Sequence, residues 1–129
     1  MWNLFLDDLR KTSEAKNPLG VRNWVVARSI DEAKALVQAR GAPTVISFDH
    51  DLGPEEGNDG YSFAKWLVDK DLDAYEANKD FLPPNFKFQV HSANPIGAEN
   101  IENLLNNWLA YKKTLTESQL IVLKELWKI

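Results

Sequence analysis

The chain alternates short apolar runs with amphipathic stretches and carries no internal repeat. Residues 2–6 are an apolar run that predicts a buried strand, and residues 23–27, centred on Trp24, Val25 and Val26, predict a second. A polar loop with Pro18 and Gly20 joins them. Ser29 followed by Glu32 makes a capping box, after which Ile30, Ala33, Leu36 and Val37 share one helical face until Gly41 and Pro43 end the helix. Residues 44–48 predict a third strand, which ends on Asp49-His50-Asp51. Gly53, Pro54, Gly57 and Gly60 then mark a long loop, of the kind that carries function. Phe63, Trp66 and Leu67 predict a second helix from Tyr61, fading into a charged surface excursion over residues 69–80 before Pro83 and Pro84. Residues 86–90 alternate in hydrophobicity and predict a fourth strand, which leads into His91-Ser92-Ala93-Asn94-Pro95. Ile101, Leu104, Leu105, Trp108 and Leu109 form a helical stripe. A final helix is expected from Glu117, where Thr116 and Gln119 can form a capping box and Leu120, Leu123 and Trp127 face one way. No fifth strand is evident.

Strands that alternate with helices imply right-handed crossovers and a mainly parallel sheet covered on both faces. At 129 residues the chain suits one domain, with a core over residues 1–111 and a helical extension over 112–129. Apolar residues at 44% and charged residues at 26% support a packed core. The net charge of -4 argues against an extended duplex nucleic-acid surface, though not against a small phosphate pocket. The absence of cysteine excludes disulfides, thiolate catalysis and zinc-thiolate sites. With neither a basic stretch before residues 1–6 nor a run of membrane-spanning length, a soluble, cytoplasmic protein is expected.

In a flavodoxin-like strand order the first and third strands are neighbours, and a crevice opens at their carboxyl ends. Asp7, Asp8, Asp49 and Asp51 would converge there, where mutual repulsion calls for a cation or for protons. Oxygen ligands favour Mg²⁺, with substrate phosphate completing its shell. A double aspartate could by itself simply open a loop. Both histidines, His50 and His91, directly follow predicted strands at the same rim, as acid/base candidates or as ligands, with Asp or Glu, for Mn²⁺ or Fe²⁺. Arg10 is close enough to reach over the crevice to a phosphate. Trp66, Trp108 and Trp127 lie on apolar helical faces and read as core.

Leu6-Asp7-Asp8, Asp49, Asp59-Gly60 and Ser92-Ala93 resemble, in order, the motifs of response-regulator receiver domains over roughly the first hundred residues. The resemblance implies that Asp7, Asp8 and Asp49 bind Mg²⁺, that Asp49 accepts a phosphoryl group and that Ser92 contacts it. The longer phrases, residues 5–10, 47–53 and 91–95, resemble the divergent cyclic-phosphate processing receiver domains. That resemblance implies a receiver-like three-layer sandwich with a mainly parallel four-stranded sheet, and action on cyclic-phosphate RNA ends or cyclic nucleotides, with a link to RNA repair. One departure from signalling receivers is the missing Lys-Pro after a fifth strand, and His50 and His91 stand in as acid or base. The functional expectation is a metal-dependent phosphoesterase that hydrolyses a cyclic phosphate. Asp49, His50, His91 and Ser92 would be catalytic, Arg10, Ser92 and Asn94 would bind substrate, and Asp7, Asp8, Asp49 and Asp51 would hold Mg²⁺ or Mn²⁺. The alternative is a non-catalytic module that binds a phosphate or nucleotide and signals to a protein partner through the C-terminal helix.

Overall fold

The computed structural model describes residues 1–53 and 57–127, with side-chain surroundings described as far as Leu115. Four strands, β1 (Asn3–Leu6), β2 (Val25–Ala27), β3 (Val45–Phe48) and β4 (Lys87–Val90), pair in the order β2-β1-β3-β4, all parallel. Three helices, α1 (Ile30–Arg40), α2 (Gly60–Glu76) and α3 (Pro95–Trp127), follow β2, β3 and β4 in turn. The receiver-like α/β fold expected from the alternation is present, and among the described residues β2 and β4 are the sheet edges. No helix among those residues is long and apolar enough to cross a membrane.

Strand side chains alternate between faces. Leu4, Leu6, Ile46 and Phe48 join one buried cluster with Ala33 and Val37 of α1, Phe63, Ala64 and Leu67 of α2, and Ile101 and Leu105 of α3. The opposite face carries Phe5, Ser47 and Gln89, and among the described residues no α-helix is seen to cover it. Segment 7–24 takes that place, held by Gln89, whose Nε2 donates to the Lys16 carbonyl and whose Oε1 accepts from the Leu19 N–H. Trp24 of this segment meets the Phe5 ring edge-on at 5.9 Å. This layer is therefore irregular backbone over a polar sheet face.

Two boundaries differ from the sequence reading. Instead of fading after Leu67, α2 continues through the charged stretch to Glu76, because Asp71 is fully buried and satisfied. Its Oδ1 accepts from the Phe81 and Leu82 N–H groups, and its Oδ2 from Trp108 Nε1 and Lys112 Nζ. Burial works to raise the Asp71 pKa, and these donors more than reverse it. The C-terminal extension is helical as expected, but it does not begin at Glu117: α3 is one helix of 33 residues, roughly 50 Å long. No glycine or proline falls between Ala98 and Trp127 to break it. The side chains of the Thr116–Gln119 cap and of Leu120, Leu123 and Trp127 lie outside the described residues.

Candidate functional site

Strand register assembles the site. The last paired row across β1, β3 and β4 is Leu6, Phe48 and Val90, so the next residues, Asp7, Asp49 and His91, leave the sheet side by side. Backbone bonds carry the ladder one step further, from Asp49 N–H to the Leu6 carbonyl and from His91 N–H to the Phe48 carbonyl, each at 2.9 Å. Asp7 and His91 are buried and Asp49 is more nearly at the surface, and one ligand-type atom from each lies within 4.8 Å of the others.

Asp7 Oδ1 accepts from the Leu9 and Arg10 N–H groups at 2.9 and 2.8 Å, which folds the chain back directly after β1. Its Oδ2 meets His91 Nε2 at 2.9 Å. Burial alone would raise the Asp7 pKa, but the two backbone donors and His91 outweigh it and leave the pKa lowered. Asp49 behaves oppositely. Burial and the nearby Asp7 charge raise its pKa, against weaker lowering by His91, the Ser92 hydroxyl and Arg10.

The two nitrogens of His91 are both occupied, Nδ1 by Ser47 Oγ at 2.7 Å and Nε2 by Asp7, and its ring stacks on Phe5 at 4.6 Å. Burial lowers its pKa despite the two carboxylates, so the ring is neutral near pH 7. A neutral ring facing a carboxylate must place its proton on Nε2, which leaves Nδ1 to accept the Ser47 hydroxyl proton. Ser47 Oγ in turn accepts from Gln89 Nε2 at 3.1 Å. Gln89, Ser47, His91 and Asp7 thus form one directed, buried chain of hydrogen bonds. Neither Ser47 nor Gln89 stood out in the sequence. Ser47 is the polar residue of an otherwise apolar strand, Gln89 falls on the polar side of an alternating one, and register pairs the two directly.

The other expected residues surround this row. Arg10 donates from its guanidinium to the His91 carbonyl at 2.8 Å, tying the loop after β1 to the end of β4. Ser92 Oγ accepts from the Asn94 N–H at 3.1 Å and hydrogen-bonds to Asp49. Asn94 Oδ1 accepts from the Gly97 N–H at 3.0 Å and so caps α3. His50 turns from the row, with Nδ1 at 2.8 Å from Asp51 Oδ1. Asp51 is exposed, and the hydrogen bond from His50 lowers its pKa. Asp8 is half-buried, and neither it nor Asp51 belongs to the Asp7–Asp49–His91 group.

Two glycines permit this crowding. A Cβ at Gly60 would overlap the Asp49 carbonyl oxygen, and one at Gly97 would overlap the His50 ring. Asp59 caps α2 by accepting from the Ser62 N–H at 2.7 Å, so the first turns of α2 and α3 both press on Asp49-His50.

Neither the curated proteins nor the solved structures compared with this chain give a match. A family model described as the cyclic-phosphate processing receiver domain matches residues 2–107, the span that holds the whole row, Arg10 and Ser92, and the chain belongs to that family.

Proposed function

We propose that this domain hydrolyses a cyclic phosphate, on an RNA end or a cyclic nucleotide, with the help of a divalent cation at Asp7 and Asp49. The observation that carries this reading is the pair itself: two carboxylates side by side in one row, one of them with its pKa raised by burial and by the charge of the other. A cation fits that donor set. Each carboxylate oxygen has two lone pairs; Leu9 and Arg10 take both on Asp7 Oδ1, while Oδ2, which accepts from His91 alone, retains one for a cation. Hard oxygen donors suit Mg²⁺ better than softer ions. His91, with both nitrogens engaged, fits as the group that orients Asp7 rather than as a ligand. The cation would neutralise phosphate charge, including the charge that develops as the ring opens.

The chain's own groups divide the remaining work. Asn94 N–H occupies a lone pair of Ser92 Oγ, which leaves the Ser92 proton to hold Asp49 in place. Arg10 contributes positive charge beside Asp49. Proton transfer falls to His50, because Asp51 accepts from its Nδ1–H and leaves Nε2 as the basic nitrogen. His91 is too enclosed for that task, with its side chain fully buried. Asp49 either attacks phosphorus or holds the cation while His50 activates water.

A binding module that signals to a partner is the second reading, favoured by one observation. Ser92 and Asn94 join the row directly to the start of α3, the longest element of the fold. The deciding experiment is turnover of RNA oligonucleotides ending in a 2′,3′-cyclic phosphate, with Mg²⁺, Mn²⁺ or chelator, by wild type and by Asp49→Asn. Metal-dependent opening lost in the variant supports the hydrolase. Tight binding of a cyclic nucleotide by folded protein without turnover supports the module.

A further inference from the structure

A polar groove between the start of α2 and the side of α3 takes no part in the chemistry above. Tyr61, Asn100, Asn103, Leu104 and Asn107 line it, and this solvent-open groove has a volume of about 520 Å³. Tyr61 comes from the first turn of α2, and the other four come from α3. Along α2 the groove is one residue removed from the backbone of Asp49 and His50. Gly60, the residue before Tyr61, donates its N–H to the His50 carbonyl at 2.7 Å, and a Cβ there would meet both the Asp49 carbonyl and the Ile101 side chain.

The lining has an unusual chemistry for a helix face. Asn100, Asn103 and Asn107 recur at steps of three and four and so share one face of α3. All three are exposed, and no hydrogen bond to another described residue occupies their side-chain amides. Each amide offers two donors and an acceptor side by side, the pattern that pairs bidentately with the N6/N7 edge of adenine. Tyr61 is 37% exposed and presents ring surface at the groove mouth. Aromatic rings of this kind stack unpaired bases. The lining contains no charged residue, which disfavours phosphate and suits a neutral heterocycle.

We infer that the Tyr61–Asn100–Asn103–Asn107 groove holds the nucleobase of the nucleoside whose ribose carries the cyclic phosphate, with adenine preferred. The inference rests on the hydrolase reading for its substrate class, but its test does not require turnover.

The test begins by titrating ¹⁵N-labelled wild type with adenosine, which has no phosphate, and following the side-chain NH₂ signals of the three asparagines. It continues with calorimetry of 2′,3′-cyclic AMP and of inorganic phosphate, in the presence of Mg²⁺, against wild type and the variant Tyr61→Ala/Asn103→Ala/Asn107→Ala. All three changes are on exposed helical positions, and an unchanged Tm verifies folding. The expected result is that adenosine moves the asparagine signals, that the variant binds cyclic AMP at least about tenfold more weakly, and that phosphate binding is unaltered. Unmoved asparagine signals, or cyclic AMP bound equally by variant and wild type, would overturn the groove. Moved signals without turnover of any cyclic phosphate would uphold the groove and sink the hydrolase. Turnover of adenosine-terminated substrate with the same kcat/KM in the variant would do the reverse.

Discussion

Asp7 and Asp49 carry the same carboxylate one strand apart, and burial acts on them with opposite net results. The Asp7 pKa is depressed, so Asp7 stabilises the fold above the ordinary carboxylate range near about 4, and that contribution is lost as pH falls through its folded pKa. The Asp49 pKa is raised, so the folded state holds the Asp49 proton more tightly, and stability falls as pH rises from the ordinary value through the folded one. Without cation at neutral pH, Asp7→Asn is expected to cost ~2 kcal/mol, the worth of charge-assisted bonds, while Asp49→Asn raises Tm by about 4 °C. Thermal melts from pH 3 to 8 check both, with the Asp49→Asn advantage vanishing at the acid end. Added Mg²⁺ should raise the wild-type Tm and leave that of Asp49→Asn nearly unmoved. The histidines separate in the same way. His91→Gln is expected to lose about 2 kcal/mol of stability, because it orphans Asp7 or Ser47 in a buried chain, whereas His50→Gln keeps its Tm and loses on the order of 100-fold in kcat. A full-rate His50→Gln enzyme would remove His50 from the chemistry.

At the scale of elements, α2 and α3 are set by what they touch at each end. Near the site, Gly60 and Gly97 let both helices begin against Asp49-His50. Gly60→Ala meets backbone and is expected to cost about 2–3 kcal/mol, whereas Gly97→Ala meets a ring that can swing aside and costs less while displacing His50. Urea denaturation of the two variants, with His50 followed by NMR, distinguishes these outcomes. Farther down, Asp71 pins α2 to α3 and to the turn at Phe81-Leu82. That role was illegible in the sequence, where Asp71 sits among charges that look uniformly solvated. The helix starts were easier to read: Ser29 accepts from Glu32 N–H at 3.1 Å, as its spacing implied. Where α3 would end was harder, since a capping pattern at Thr116 also occurs inside a helix when no breaker accompanies it.

For the whole molecule, the decisive property is a net charge of -4 around a site whose nearby arginines are Arg10, beside Asp49, and Arg28, which donates to the Asp7 carbonyl at 3.0 Å. If the domain acts on RNA as proposed, binding is expected to be local to the chain end and not spread along the backbone. A mononucleotide 2′,3′-cyclic phosphate and a ten-nucleotide RNA with the same end are expected to bind within about threefold of each other and to weaken alike between 50 and 200 mM salt. Affinity that climbs steeply with RNA length, measured by fluorescence anisotropy, would contradict this. The fold supports that locality. Helices cover one sheet face, a largely irregular segment covers the other, and the strand ends bring Asp7 and Asp49 together.

The linear chain determined the strands, the starts of α1 and α2 and the position of every acid at a strand end, because these follow from short-range periodicity and from residues that cap or break. It also carried the family resemblance, since Asp7, Asp49 and His91-Ser92 sit in ordered local phrases. Tertiary structure alone decided which of those residues meet. Asp7, Asp49 and His91 share a row because three strands pair in one register, while Asp51, only two residues from Asp49, points to His50 instead. It also decided which histidine is enclosed, since that depends on Ser47, Gln89 and Phe5, which come from three different strands. Side-chain partners so far apart in the chain leave no periodic trace in it, and only packing brings them within hydrogen-bond reach.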